Sequence, residues 1–483
     1  MKNKKTFYVT TPIYYPTAKP HLGTAYTTIA ADILARWHKL LGEDVFFLTG
    51  TDEHGQKLDE AAKKVGKNPK EYVDELVKEF KNVWKELNIN FDEFIRTTDK
   101  KHEEIVKKLI KKIYDNGDLY EEDYEGLYCV PCESYWTEKD LFNGKCPSCG
   151  RGVQSIKEKA YFFRLSKYQK KLIELYNNNS DFVLPKSKKN EMINRIEEGL
   201  KDVSFTRSKF KWGVEFPMNK DYVLWVWADA LTNYISALEW PDGKNFKKFW
   251  PANIHLIGKD ILWFHSVIWP AMLMSAGINM PKTIFAHGWW TVDGEKMSKS
   301  KNNVIDPLEL IRKYGVDSFR YFLFRASTFG EDGDFSEKVL IERHNSELAN
   351  KFGNLISRVS TLAEKYGLEK TENKLLHKLN LKQINLYINN YELDKVLNEI
   401  FSFIDACNEY VQEKKPWETH DKKILYQLVD SIKAISILLW PFIPSTCEKI
   451  SEQFGFKINY SEIEKPLKIK DIRKGEILFK KIE

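Results

Sequence analysis

The sequence contains few cysteines, and their distribution excludes a disulfide framework. Six cysteines occur in 483 residues. Four of them are clustered between Cys129 and Cys149, whereas Cys407 and Cys447 stand alone in segments of helical periodicity. Disulfide-rich domains are short secreted chains with many closely spaced cysteines, and this chain does not fit that class. We expect Cys407 and Cys447 to be small, unreactive residues of the core.

A long apolar run and a strong excess of one charge are also absent. No stretch approaches the roughly 20 apolar residues of a membrane-spanning helix, and the lysines in Met1–Lys5 are not followed by the apolar core of a signal peptide. The 75 basic residues only slightly exceed the 69 acidic ones, which permits nucleic-acid binding without establishing it. We therefore expect a cytoplasmic protein without membrane contact, divided into roughly two to four domains.

A lysine-rich stretch in the second half of the chain is a candidate phosphate site. A β-rich run over Thr283–Ala286 leads into a loop that contains Gly288 and the turn pair Asp293-Gly294. Lysine side chains are charged, rotatable donors that suit a polyphosphate, although a short basic run is more often a solvated surface. The loop presents three lysines with two serines between them: Lys296, Ser298, Lys299, Ser300 and Lys301.

A second candidate anion site lies near the N-terminus. Phe7–Thr11 predicts a buried strand, and a helical pattern runs from His21 to Gly42, a typical helix C-cap. His21 and Gly23 thus lie at a helix N-terminus, where free N–H groups and the helix dipole attract an anion. Because Gly23 has no side chain, we expect a flat base to lie against the backbone there.

The pattern of strands and helices predicts an open parallel sheet. A strand over Asp44–Thr49 leads into polar residues that include Asp52, and strand and helix alternate to about Asn116. Such alternation indicates βαβ units, whose ligands bind at the carboxyl ends of the strands. After Ser300 the pattern is helical almost to the end of the chain, starting with Asp306 as N-cap before Pro307.

The clustered cysteines predict a metal site. Cys129 and Cys132 form one Cys-x-x-Cys turn, and Cys146 and Cys149 form another after thirteen intervening residues. This spacing is typical of four thiolates around a tetrahedral Zn²⁺, whereas a redox motif would need only one such turn. We expect one structural Zn²⁺ per chain, with no open coordination position.

Taken together, the two candidate phosphate motifs resemble those of class I aminoacyl-tRNA synthetases. The detailed fit is to the methionyl-tRNA synthetase family, and it covers nearly the whole chain. The family's first motif ends in a second histidine, and here that place is Thr24, whose hydroxyl can donate a neutral hydrogen bond but cannot become cationic. The insertion that carries the cysteines is too short for the editing domain of the isoleucyl, leucyl and valyl relatives, which favours the methionine family.

The resemblance implies the site residues. His21, Lys296 and Lys299 would be catalytic, and Asp52 would pair with the substrate α-ammonium group. The implied ATP contacts, with Mg²⁺ on the phosphates, are His21, Gly23, Thr24, Lys296, Ser298, Lys299 and Ser300. The implied methionine contacts are Ile13, Tyr15, Asp52, Trp227, Ala230, Leu231, Tyr234, Phe264, His265 and Trp269. An aromatic slot suits a polarizable thioether, although an aromatic stripe of this kind is more often core.

The resemblance also implies the architecture. We expect a Rossmann-type parallel-sheet catalytic domain split by a zinc-knuckle insertion, followed by an all-α C-terminal anticodon-binding bundle. Asn354 and Arg358, four residues apart on a helix, and Trp417 would read the anticodon. The expected divisions are the two catalytic halves 1–117 and 217–295, the insertion 118–216, the lysine-loop and stem-contact region 296–345, and the helical domain 346–483.

The implied activity is that of methionine–tRNA ligase. ATP and L-methionine would give methionyl-adenylate and pyrophosphate, and the methionyl group would pass to the 3′ end of tRNA(Met). Two alternatives remain: a cysteinyl-tRNA synthetase, against which the pocket aromatics argue, and a non-catalytic RNA-binding relative, against which the intact His21, Asp52, Lys296 and Lys299 argue. The chain stops at Glu483 without an appended oligonucleotide-binding domain, so we expect a monomer whose tRNA affinity depends steeply on salt.

Overall fold

The computed structural model describes residues 4–17, 19–129, 134–136, 138–147, 150–297, 303–468 and 472–483. Some of the predicted site residues lie outside these ranges, as does the side chain of Lys296. They are two of the four clustered cysteines and three residues of the lysine-rich stretch: Cys132, Cys149, Ser298, Lys299 and Ser300.

The strands form one large parallel sheet and three smaller sheets. Their bounds are β1 Thr6–Tyr14, β2 Asp44–Thr51, β3 Glu93–Arg96, β4 Leu119–Cys129, β5 Ser134–Trp136, β6 Gln154–Phe163, β7 Val183–Leu184, β8 Val203–Ser204, β9 Thr206–Arg207, β10 Val223–Leu224, β11 Ile254–Gly258, β12 Thr283–His287, β13 Trp290–Val292, β14 Glu295–Lys296 and β15 Gly333–Phe335.

Helices connect the strands and make up nearly all of the C-terminal third. Their bounds are α1 Leu22–Leu40, α2 Gln56–Lys64, α3 Pro69–Glu86, α4 Lys100–Asp115, α5 Gln169–Asn178, α6 Lys186–Glu197, α7 Val226–Ala230, α8 Asn233–Ser236, α9 Lys244–Phe249, α10 Trp269–Ala276, α11 Pro307–Tyr314, α12 Val316–Arg325, α13 Glu337–Arg343, α14 Asn354–Tyr366, α15 Leu381–Asn389, α16 Leu393–Lys414, α17 Pro416–Thr419, α18 Lys422–Leu439 and α19 Pro444–Phe454. Phe264–Ile268 and His344–Gly353 are π-helical.

The large sheet has the strand order β3-β2-β1-β11-β12-β7, and all of its pairings are parallel. Along β1, Phe7 and Val9 belong to one apolar core and Tyr8 to the other, because successive side chains of a strand point to opposite faces. Both faces are therefore covered, as parallel sheets require. The chain order changes direction between β1 and β11, and this switch point is where open sheets bind ligands.

An antiparallel ribbon carries the cysteine-rich insertion. Strands β4 and β6 pair from Leu119 opposite Phe163 to Tyr128 opposite Gln154. At the base of this ribbon the buried Asp118 accepts hydrogen bonds from Lys167 Nζ at 2.6 Å and from Ser275 Oγ at 2.7 Å. Because Ser275 belongs to α10, Asp118 fastens the ribbon to the catalytic domain.

The helical domain shares a core with one face of the catalytic domain. Residues of α1 and of α18 belong to the same apolar cluster. At this junction Arg320 on α12 has no exposed side-chain area. Its guanidinium group donates to Asp32 Oδ2 at 2.6 Å and to the carbonyl oxygens of Pro441 at 2.8 Å, Phe442 at 3.0 Å, Leu87 at 3.1 Å and Asn88 at 3.2 Å.

The predicted fold class is confirmed: a parallel-sheet catalytic domain is followed by a helical domain. The segment that carries Phe264 and His265 is a π-helical turn, Phe264–Ile268, followed directly by α10. Pro270 has no N–H to donate to the carbonyl of Ser266, and this carbonyl accepts from Tyr176 Oη at 3.0 Å. Within the described ranges, no helix is long and apolar enough to cross a membrane.

Candidate active site

The start of α1 is held by a reciprocal cap. His21 is the N-cap, and its Nδ1 accepts from Gly23 N at 3.0 Å. Thr24 Oγ1 accepts from His21 N at 2.8 Å and donates to His21 O at 2.7 Å. A neutral imidazole that accepts at Nδ1 carries its proton on Nε2. His21 Nε2 is therefore the ring atom that can donate to a phosphate.

This cap also explains Gly23 and Thr24. A Cβ atom on Gly23 would lie 2.9 Å from His21 Cε1, so any side chain there would displace the histidine. The glycine is thus required for the His21 contact, and a flat base against the backbone of Gly23 stays a prediction. The hydroxyl group of Thr24 donates its hydrogen to His21 O. A contact between Thr24 and ATP stays a prediction, and it would have to replace this hydrogen bond.

One cavity of about 590 Å³ joins the start of α1 to the aromatic residues of the second catalytic half. Most of the predicted ATP and methionine contacts line it together with Met297, the neighbour of Lys296. The predicted residues at its wall are Ile13, Tyr15, His21, Gly23, Thr24, Asp52, Trp227, Ala230, Leu231, Tyr234, Phe264 and His265. Trp269 is not at the wall: it is fully buried, with its ring centroid 6.1 Å from that of Tyr234.

The aromatic end of the cavity has a defined pattern of donors and acceptors. His265 Nδ1 lies 3.0 Å from the carbonyl oxygen of Ile261, so it must donate. Burial lowers the pKa of His265 to about 4, and the neutral ring therefore accepts at Nε2 from Tyr234 Oη at 2.7 Å. Trp227 and Phe264 stack in parallel with their ring centroids 3.8 Å apart. The result is an aromatic slot with little spare hydrogen-bonding capacity, which suits a thioether.

Asp52 lies where β2 ends, at the polar end of the same cavity. Its side chain is largely buried, and its backbone N–H donates to Tyr14 O at 2.9 Å. The next residue, Glu53, is fully buried and accepts from Arg96 Nε at 2.7 Å and Nη2 at 2.8 Å. A carboxylate held between two anchored backbone positions can meet a substrate cation without rearrangement.

A buried charge network behind Asp52 was not predicted from the sequence. Asp229 Oδ2 accepts from His54 Nδ1 at 2.7 Å, and Asp229 Oδ1 accepts from His102 Nε2 at 2.7 Å. Burial opposes charge on His54, but the neighbouring carboxylates, Asp229 above all, outweigh it and raise the pKa of His54. Burial likewise favours a protonated Asp229, yet the two histidines lower its pKa. More than a hundred residues separate Asp229 from either histidine, and no local pattern indicates the contact.

The lysine-rich stretch begins in a hairpin that is anchored from behind. Strands β13 and β14 pair antiparallel around the turn at Asp293 and Gly294, both with positive φ. Asp334 Oδ1 accepts from Gly294 N at 2.9 Å and from Thr291 Oγ1 at 2.6 Å. Downstream of the stretch, the carbonyl of Ile305 accepts from Leu22 N at 3.1 Å. Both ends of the stretch are therefore tied to the cavity region.

The described part of the cysteine cluster fits a zinc knuckle. Cys129 is the last residue of β4, and both Cys129 and Cys146 are buried. Around Cys146 the chain turns tightly: its N–H donates to Arg151 O at 2.9 Å and its carbonyl accepts from Gly150 N at 2.8 Å. With Cys132 and Cys149 outside the described residues, the ranges that are described hold no group of three or more metal-ligating side chains.

The predicted anticodon residues meet on the helical domain. Asn354 begins α14 and Arg358 lies one turn further on, with its guanidinium carbon 5.9 Å from the ring centroid of Trp417. Trp417 sits in α17, which is flanked by Lys415 and His420, both in the left-handed backbone region. The structure therefore brings Arg358 and Trp417 together on one surface.

Comparisons with known proteins agree with this arrangement. The family model described as tRNA synthetases class I (M) matches residues 7–158 and 152–360, and the model of the anticodon-binding domain of tRNA ligases matches 372–478. The chain is 48% identical to the methionine–tRNA ligase of Caldanaerobacter subterraneus subsp. tengcongensis, over 99% of this chain and 79% of that protein. It is 44% identical to the methionine–tRNA ligase of Thermotoga maritima, over 99% of this chain and 80% of that protein.

Solved structures extend the similarity to the whole fold. Mycobacterium tuberculosis methionyl-tRNA synthetase in complex with methionyl-adenylate superposes with a TM-score of 0.95 at 36% identity, covering 98% of this chain and 99% of that chain. The apo form of the same protein superposes with a TM-score of 0.87 at 33% identity, covering 99% of both chains.

Proposed function

The chain belongs to the methionine–tRNA ligase family of class I tRNA synthetases, and we propose that the 590 Å³ cavity is where it activates methionine. Its reaction is the ATP-dependent formation of methionyl-adenylate followed by transfer of the methionyl group to tRNA. One observation carries the proposal. The cavity places the helix N-terminus at His21 and the aromatic slot of Trp227 and Phe264 in a single space.

The two ends of the cavity receive different parts of the substrates. The slot holds the methionine side chain, and Asp52 pairs with the α-ammonium group, which points the carboxylate toward the start of α1. His21 Nε2 and the helix dipole then face the phosphates of ATP. Attack of the carboxylate on the α-phosphorus needs no acid or base, so these residues act by alignment and by stabilising the negative charge that moves to pyrophosphate.

The lysine-rich stretch supplies the remaining positive charge. Lys296 and Lys299, together with Ser298 and Ser300, contact the phosphates. Mg²⁺ accompanies ATP and shares this charge neutralisation. The proposal is supported by the contact between Ile305 and Leu22, which joins the far end of the stretch to the first turn of α1.

We also propose a structural Zn²⁺ and an anticodon surface. Four thiolates, from Cys129, Cys132, Cys146 and Cys149, would hold the metal, and its contribution would be to stabilise the tip of the β4–β6 ribbon. Asn354, Arg358 and Trp417 contact anticodon bases, since a half-buried indole beside an exposed guanidinium group offers a stacking surface for a base. tRNA charging serves translation, and we expect the protein in the cytoplasm.

The division of the chain follows the same proposal. The catalytic halves 1–117 and 217–295 flank the insertion 118–216, and the region 296–345 leads to the helical domain 346–483. Two structural features support the bounds at 118 and 346, whereas β7, which lies within 118–216, belongs to the large sheet of the catalytic domain. The ribbon of the insertion begins with β4 at Leu119, and the π-helical segment His344–Gly353 precedes α14.

ATP–pyrophosphate exchange tests the proposed site. The wild-type protein should exchange with methionine and not with cysteine or other amino acids. Lys299→Ala should slow exchange by about two to three orders of magnitude, the effect of losing one charged donor to the transition state, with little change in methionine binding. Lys338→Ala, which changes an exposed lysine of α13, is the matched control. A Lys299→Ala variant with nearly normal exchange would remove the lysine-rich stretch from the catalytic site.

A further inference from the structure

The two parts of the proposed methionine site come from elements that are distant in sequence. Asp52 belongs to the segment that follows β2, whereas Trp227 and Ala230 belong to α7. Helix α7 is only five residues long, and no side chain caps its N-terminus. Propensity cannot hold so short a helix in place, so its position must come from tertiary contacts.

Asp229 provides such a contact from inside α7. Its side chain is 1% exposed, and each of its two oxygens accepts from a different histidine at 2.7 Å. His102 belongs to α4, whereas His54 lies two residues after Asp52. A single carboxylate therefore joins α7, α4 and the segment that carries Asp52. Charge-assisted hydrogen bonds of this kind are short, directional and shielded from water here.

Trp212 of the insertion contacts the segment that carries His54. Trp212 Nε1 donates to the carbonyl of Glu53 at 2.6 Å, and Gly55 N donates to the carbonyl of Trp212 at 3.0 Å. The indole also packs edge-on against His54, with ring centroids 5.4 Å apart. These contacts fix the backbone on both sides of His54, whose Nδ1 faces Asp229 and whose Nε2 lies 3.9 Å from Glu103 Oε1.

We propose that Asp229, held by His54 and His102, is a positioning residue that sets the distance between Asp52 and Trp227 and thereby the affinity for methionine. Asp229 is not among the residues that line the cavity, so it would act through the residues that do. Its effect is transmitted through α7 on one side and through His54 on the other. The inference rests on the proposed role of Asp52, and it adds a group that the family resemblance did not indicate.

The test is ATP–pyrophosphate exchange with methionine and ATP varied separately. Asp229→Asn replaces one acceptor oxygen with a donor that opposes a histidine N–H. His54→Ala removes the link to the Asp52 segment, and His54→Asn restores a donor near the position of Nδ1. We expect Asp229→Asn and His54→Ala to raise the KM for methionine about tenfold, since each loses a charge-assisted hydrogen bond. The KM for ATP and kcat should change by less than about twofold, the pattern of lost uniform binding.

A matched control separates positioning from general destabilisation. Asp430 is another buried carboxylate, 2% exposed, that accepts from Lys433 Nζ at 2.8 Å inside the helical domain. Asp430→Asn should lower the midpoint of urea unfolding and leave the KM for methionine unchanged. His54→Asn should return the KM for methionine to within about threefold of wild type, because the neutral amide keeps one hydrogen bond to Asp229.

If Asp229→Asn and His54→Ala shift the KM values for methionine and ATP equally, or shift neither while lowering stability as Asp430→Asn does, the network is only structural and the inference fails. If Asp229→Asn does not fold, His54→Ala and His54→Asn decide the question alone. Asp52→Asn measured in parallel tests the premise, because an unchanged KM for methionine in that variant would overturn the role of Asp52 itself.

Discussion

Replacing Arg320 with methionine should destabilise the whole chain, because this one side chain joins the catalytic and helical domains. Methionine has a similar length and no donors. The substitution would leave the carbonyls of Pro441, Phe442 and Leu87 without the donor they have now. Asp32 would still accept from Arg36 Nε at 2.8 Å and from Asn90 N at 2.9 Å. The site would therefore lose one positive charge, and Asp32 would stay ionised.

The expected loss is large for a single substitution. Breaking a buried ion pair by removing one partner costs about 3–5 kcal/mol in the free energy of unfolding. A whole domain is stable by only about 5–15 kcal/mol, so Arg320→Met would remove a substantial share. Because Asp32 keeps its pair with Arg36, we expect a value near the lower end of this range, arising mainly from the carbonyl oxygens that lose their donor.

Urea unfolding followed by tryptophan fluorescence measures the effect. The midpoint should fall while the slope of free energy against urea stays constant, since the surface exposed on unfolding is the same. Arg312→Met, which changes an exposed arginine on the preceding helix, should alter the free energy of unfolding by less than about 0.5 kcal/mol. A loss below about 1 kcal/mol for Arg320→Met would refute the reasoning, since it would show that other contacts or water satisfy these groups.

Two further experiments address the histidines and the cysteines. His265 is buried and neutral with a pKa of about 4, below the ordinary 6.5, so its contribution to stability is complete above pH 6.5 and is lost as the pH falls toward 4. The free energy of unfolding of His265→Gln should therefore fall less than that of the wild type over this range, by about 3 kcal/mol. Equal pH profiles for the two proteins would contradict the buried neutral state. Cys146→Ser should lower the zinc content from one ion per chain and raise the KM for tRNA more than the KM for ATP. If elemental analysis found no zinc in wild-type protein prepared with zinc, the metal site would be contradicted.

Local patterns in the sequence were sufficient to predict the ends of the cavity. His21 before a helical run, Asp306 before Pro307 and the residues after β2 each depend on a few neighbouring positions, and the structure has a helix N-terminus at His21 and the predicted N-cap at Asp306. The contact between Gly23 and His21 depends on the rotamer of His21, which a sequence pattern does not contain.

Contacts between distant segments could not be predicted in the same way. Asp229 lies between the predicted pocket residues Trp227 and Ala230, but its role could not be predicted because its partners His54 and His102 are supplied by other elements. Arg320 was one basic residue in a helical pattern, and only the docking of the two domains shows that it is buried against Asp32. The position of Trp269 behind the wall likewise depends on how α10 packs, and not on its spacing from His265.

The ribbon of β4 and β6 is a long arm that is attached to the catalytic domain at Asp118. Ten paired residues at strand spacing make the arm about 30 Å long. A rotation of one degree at the base therefore moves the cysteine-bearing tip by about half an ångström. The hydrogen bonds from Lys167 and Ser275 to Asp118 lie at the base of this arm, so a small displacement there would be magnified at the tip.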